Sequence, residues 1–113
     1  MKGKIKDVKW VGSSKKDICS LPDEVKSMLG YSIYEIEKGN NPRNSKILRS
    51  FNGDVRQIAC NHDKDTYRAV YTVAIKDTLY ILHVFKKKSK SGISLPKQDR
   101  DLIKRRLLQI TTN

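Results

Sequence analysis

Residues Asp65 to Lys90, DTYRAVYTVAIKDTLYILHVFKKKSK, constrain this chain most. Tyr67 to Ile75 is rich in Tyr, Val, Thr and Ile, and Thr78 to Phe85 is apolar apart from Thr78, Tyr80 and His83. Aromatic and β-branched side chains suit a pleated, half-buried surface, so both runs are predicted strands, with Lys76-Asp77 as a tight hairpin turn. Lys86, Lys87, Lys88 and Lys90 follow the second strand. In an antiparallel hairpin the start of one strand lies beside the end of the other, which brings Arg68 near those lysines. Arg68, His83 and the lysines are therefore expected to converge on one edge of the sheet. Such a pocket suits a phosphate, or a polyphosphate chain.

Other segments supply the rest of one small domain spanning 1–113. Lys4 to Val11 reads as a short strand, and Gly12-Ser13-Ser14 breaks it ahead of a helical turn over Lys15–Cys19. Val25, Met28, Leu29, Ile33 and Ile36 recur at helical spacing, predicting a helix from Pro22 to about Lys38 with Gly39 as its C-terminal cap. Lys46 to Phe51 is expected to be extended, Asn52-Gly53-Asp54 a turn, and Val55 to Cys60 a strand. Pro96 opens a terminal helix with Leu102, Ile103, Leu107 and Ile110 on one face and Lys104, Arg105 and Arg106 on the other. This order predicts an α+β domain. The central helix is expected on one face of the sheet, with the opposite face concave and partly open.

Charge narrows the partner. The net charge is +12, from 24 Lys+Arg against 12 Asp+Glu, which implies an anionic partner, most simply nucleic acid. Residues 86–106 hold much of that excess. No signal peptide is visible and no apolar run approaches the roughly 20 residues that span a bilayer, so a cytoplasmic protein with no membrane partner is expected. Cys19 and Cys60 lack metal spacing and read as free thiols. No metal-ligand, Walker or dinucleotide motif is present, so no metal or cofactor is expected.

Five motifs carry a family resemblance: WVGSSKKD, LPDEVKSMLGYSIY, HDKDTYRAVYTV, LYILHVFKKKSKSGI and LPKQDRDLIKRRL. Together, in order and spacing, the chain resembles the HigB/RelE-type toxins of bacterial toxin–antitoxin pairs, in the phage-derived HigB-like branch. The resemblance implies a RelE-like fold: a small antiparallel-rich sheet, an N-terminal helix or helical hairpin packed on one face, and a C-terminal helix. It implies a metal-independent endoribonuclease (an mRNA interferase) that cuts mRNA at the ribosome and so inhibits translation. It also implies a cognate antitoxin, of helix-turn-helix type, through which operator DNA would be bound. By position, Arg68 matches the arginine at the scissile phosphate, and Lys86 and Lys87 match the basic pair after the last core strand. Gln57 and Ala59 depart from the family pattern. They stand where proton-exchanging side chains are found, and neither can exchange protons.

Metal-free RNA cleavage needs a base for the 2′-hydroxyl, cations for the phosphate and an acid for the leaving 5′-oxygen. Arg68 suits the cationic role, because a guanidinium forks onto two phosphate oxygens. A lysine crowded by other cations has a lowered pKa and becomes a usable acid or base. His83 is a further proton-transfer candidate. Plain alternation places it on one face with Leu79, Ile81, Phe85 and Lys87, so a structural role stays open beside the catalytic one. Arg68, His83, Lys86 and Lys87 are the catalytic candidates. Lys88, Lys90, Arg56, Gln57 and His62 are candidate RNA contacts, with Tyr71 as a base-stacking platform. Two functions remain: a ribonuclease toxin, or a non-catalytic RNA- or ribosome-binding module descended from one.

Overall fold

The computed structural model describes residues 6–51, 53–74, 77–87 and 95–111. Lys4 of the first expected strand, Lys76 of the hairpin turn, and the candidates Lys88 and Lys90 lie outside them. The elements run β1 (Asp7–Trp10), α1 (Ser14–Cys19), α2 (Asp23–Glu37), β2 (Ser45–Ile47), β3 (Val55–His62), β4 (Asp65–Ala74), β5 (Thr78–Lys87) and α3 (Lys97–Thr111).

The predicted hairpin forms. β4 and β5 are antiparallel, from Thr66 opposite Lys87 to Ala74 opposite Thr78. β3 pairs antiparallel with β4, and β2 with β3, while β1 adds to the far side of β5 in parallel. The sheet order is thus β1-β5-β4-β3-β2, a mixed sheet. Arg68 lies between Ala59 of β3 and Phe85 of β5, inside the sheet and not at its edge, which corrects the expectation for that residue; β1 pairs with β5 only from Thr78 to Ile81, so His83 lies beyond that pairing. A strand bounded on both sides and covered on both faces should be almost wholly apolar. In β5, Leu79, Ile81, Leu82 and Val84 are buried accordingly.

One face carries α2. Val25, Leu29, Ile33 and Ile36 are buried against Ile58, Cys60, Tyr67, Ala69, Tyr71, Leu79 and Ile81. Met28, expected on that stripe, is half exposed. The helix stops at Gly39, whose φ of +95° is the left-handed conformation that glycine adopts without a Cβ penalty. α1 is pinned to the sheet by buried Ser14, whose hydroxyl donates to the Ile81 carbonyl at 3.0 Å.

The opposite face, expected to be concave and partly open, is covered in part by α3. Phe51, Val55, Val70, Leu82 and Ile103 form a second buried core, with Leu107 and Ile110 of α3 packed against it. The amphipathic terminal helix finds its apolar partner there. Arg106 fastens it, donating from Nη1 to the Leu82 carbonyl at 2.7 Å. Its guanidinium packs so close over Gly12 (φ +59°) that a Cβ there would lie 2.6 Å away.

A β-bulge sets which side chains reach this second face. Val70 opposes His83 but Tyr71 opposes Ile81, so Leu82 is the extra residue. A bulge resets the alternation on one side of it. Leu82 joins the α3 face while Ile81 and Leu79 join the α2 face. The expectation that His83 shares a face with Leu79 and Ile81 is corrected by that one residue.

Candidate nucleic-acid interface

Arg68 projects from the middle of the sheet on the face that α3 partly covers. Its cross-strand neighbours are Ala59 on β3 and Phe85 on β5. Arg68 Nη1 donates to Gln57 Oε1 at 3.1 Å, and Gln57 is only 3% exposed. Arg68 Nε is buried with no hydrogen-bond partner. Among the described residues no carboxylate forms an ion pair with this guanidinium. Burial lowers its pKa from the ordinary arginine value, yet arginine stays charged in proteins. A half-buried cation with an orphaned donor and no acidic partner is arranged to receive an anion.

Lys87 extends the cationic surface. It pairs across the hairpin with Thr66, two residues before Arg68 and on the same face. Lys46 pairs with Gln57, which places it on that face as well. Desolvation, then the positive fields of Arg68 and Lys46, holds the Lys87 ammonium below the ordinary lysine range. Lysines that share a site in this way give up protons more readily than isolated ones.

His83 is on the same face and tightly held. Its Nε2 lies 2.7 Å from Asp99 Oδ1 of α3, and its ring stacks on Phe85 with centroids 4.7 Å apart. Its Nδ1 is buried and unpartnered. The residue is 8% exposed, so neither nitrogen meets solvent-borne substrate in this conformation. His83 therefore anchors α3 and props the Phe85 ring beside Arg68. The structural alternative for this histidine is the one its surroundings favour.

Other candidates lie elsewhere. Lys86 pairs with Tyr67 on the α2 face, and its Nζ is 3.5 Å from Asp65 Oδ2. Arg56 and Tyr71 also oppose one another on that face. Arg56 Nε donates to Asp54 Oδ1 at 3.0 Å. Tyr71 is 1% exposed, so its ring packs the core and offers no platform for a base. His62 Nδ1 lies 3.3 Å from Glu24 Oε1 beside α2. A groove of about 720 Å³ between α2 and β3, lined by Met28, Tyr31 and Cys60 among others, also opens away from Arg68. Gathered on the Arg68 face are thus Gln57, His83 and Lys87.

Sequence reasoning missed two residues. In sequence Lys46 marks only the start of an extended run, and its place on this face depends on β2 pairing with β3. Asp99 lies in the QDRD turn that opens α3, and nothing local in that turn marks it as the partner of a histidine sixteen residues earlier.

Comparison with known proteins agrees with this architecture. The family model described as Phage derived protein Gp49-like matches residues 16–108. No curated protein sequence matches the chain. Among solved structures, an arginine-to-alanine double mutant of the E. coli toxin RelE in the free state is similar, with a TM-score of 0.59 at 18% identity. That alignment covers 94% of this chain and 98% of the other. Likeness at such identity establishes the fold, and the expected RelE-like α+β architecture is the one observed.

Proposed function

The chain belongs to the Phage derived protein Gp49-like family, and on that premise we propose that it is the toxin of a toxin–antitoxin pair, acting as an endoribonuclease on mRNA at the ribosome. The observation that carries this reading is Arg68: a partly buried guanidinium with an orphaned Nε and no carboxylate partner among the described residues. It lies on one face with Lys46 and Lys87. An unpaired cation on a sheet face is unfavourable for the fold alone and favourable for binding a phosphodiester.

In this mechanism Arg68 holds the non-bridging oxygens of the scissile phosphate and stabilises the charge that grows on them. Solvent water takes the proton of the 2′-hydroxyl, the 2′-oxygen attacks phosphorus, the 2′-O–P bond forms and the P–O5′ bond breaks, leaving a 2′,3′-cyclic phosphate. Lys87, with its lowered pKa, gives its proton to the departing 5′-oxygen. Neither Gln57 nor Ala59 exchanges protons, and in this proposal Lys87 supplies the acid. Lys86 and His83 are left out of the chemistry, the first by its orientation and the second by its contact with Asp99.

Inhibition of translation and of growth follows from cutting mRNA. A helix-turn-helix antitoxin is the proposed partner, and operator DNA is bound through the complex. The proposed site of action is the cytoplasm. Among the described residues no helix is long and apolar enough to cross a membrane.

A second reading is a non-catalytic RNA- or ribosome-binding module, favoured by the sealed His83 and by the neutral Gln57 and Ala59. Purified protein incubated with end-labelled mRNA, with and without translating ribosomes, separates the two. Multiple-turnover scission supports the nuclease. Salt-sensitive binding without scission supports the module.

A further inference from the structure

Gln57 touches Arg68, and its chemical type is informative. The amide is buried in β3 and its Oε1 accepts the Arg68 Nη1 hydrogen bond at 3.1 Å. A glutamate has nearly the same shape and would hold a guanidinium more firmly, through a charge-assisted and often bidentate pair. The neutral isostere occupies the position instead. An amide oxygen orients one N–H of the fork and leaves the full positive charge uncompensated.

The surroundings act in the same direction. Ala59 and Phe85 flank Arg68 across the strands, and neither carries charge. Val70, fully buried, separates Gln57 from His83 in the next row. α3 does bring a carboxylate to this face, but Asp99 is engaged by His83 at 2.7 Å. Among the described residues, neither Asp99 nor any other carboxylate forms an ion pair with Arg68.

We infer that Gln57 is a positioning residue whose neutrality is its functional property: it aims the Arg68 guanidinium while keeping its charge for an RNA phosphodiester. This inference rests on the phosphate-binding reading of Arg68 given above.

The test uses the full chain, a 2′-O-methyl RNA oligonucleotide as a non-cleavable probe, and a cleavable RNA for rates. Gln57→Glu, Gln57→Met and Arg68→Ala are compared with wild type, each with a thermal melt. Gln57→Glu should fold and bind the probe on the order of 10–100-fold more weakly, as expected when a charged hydrogen bond is diverted. Its salt slope should fall by about 0.7, the value for one lost phosphate contact on a single strand. Gln57→Met keeps the charge and loses the aim, so its affinity should stay within a few-fold while its kcat falls.

Wild-type affinity and salt slope in Gln57→Glu, alongside weak binding by Arg68→Ala, would overturn the inference and leave the phosphate site standing. Equal losses of affinity in Gln57→Glu and Gln57→Met, matched by equal drops in melting temperature, would also overturn it, by showing a packing role. Wild-type binding by Arg68→Ala would overturn the phosphate site itself.

Discussion

The two faces of the sheet handle charge differently. On the α2 face the two cations that the sequence offered as candidates each have an acid: Lys86 has Asp65 and Arg56 has Asp54. On the α3 face Arg68 has an amide in place of an acid, and its Nε has no partner. Both faces belong to a chain of net charge +12, so charge density alone does not locate a site. What distinguishes the Arg68 face is the pairing state of its cation. Exposed ion pairs contribute little to stability, and their residues are solvated surface. A half-buried cation without its counterion is costly to the fold, and the proposed phosphodiester would offset that cost.

The largest way to break this contrast is Arg68→Ala. Loss of a transition-state cation typically lowers kcat by about 100–1,000-fold, and cleavage should fall by that order while the melting temperature holds. The second prediction concerns the core beneath the site. Ile103 is fully buried between α3 and the sheet, and truncating a buried isoleucine to alanine costs about 2–5 kcal/mol. Urea denaturation of Ile103→Ala should show a loss in that range if α3 is an integral layer; a value near zero would make it a loose appendage.

The third prediction sharpens the role of Lys87. A cation whose pKa is depressed loses its proton at lower pH than an ordinary lysine. If Lys87 is the acid, kcat should decline as pH rises through that lowered value, and Lys87→Arg should remove this limb of the profile along with most of the rate. A profile unchanged in Lys87→Arg would assign the proton elsewhere. The smallest effects belong to the other face. Arg56→Ala and Lys86→Ala remove ion-paired surface cations and should leave kcat/KM within about two-fold, with stability changes inside about 0.5 kcal/mol. A loss comparable to that of Arg68→Ala in either would dissolve the distinction between the faces.

Much of the fold was legible in local pattern. The β4–β5 hairpin showed in its run of β-branched and aromatic residues, and α2 in the spacing of Val25, Leu29, Ile33 and Ile36. Four features had no local mark. The bulge at Leu82 is one residue in an apolar run, and alternation counted through it puts Leu79 and Ile81 on the wrong face. Tyr71 looks the same in sequence whether its ring packs a core or meets a base. Parallel pairing of β1 with β5 joins the first strand to the last, and this placed the hairpin in the sheet centre. Docking of α3 depends on the exposed apolar strip that the other elements leave.

The site was legible in its cation and illegible in its companions. Arg68 stood out through its position beside the lysine cluster. Its relation to Gln57 spans two strands, and that of His83 to Asp99 joins a strand to a helix. Pairings of that kind come from tertiary structure. Residue type still helped at Gln57, where an amide in place of a proton carrier was visible before its partner was known.

Wild type and Arg68→Ala should be expressed by induction in bacteria and transcript 5′ ends mapped minutes later. New 5′ ends should cluster within translated frames for wild type and be absent for an equally abundant, folded Arg68→Ala. New ends at the same positions and frequency in Arg68→Ala would contradict the role proposed for Arg68.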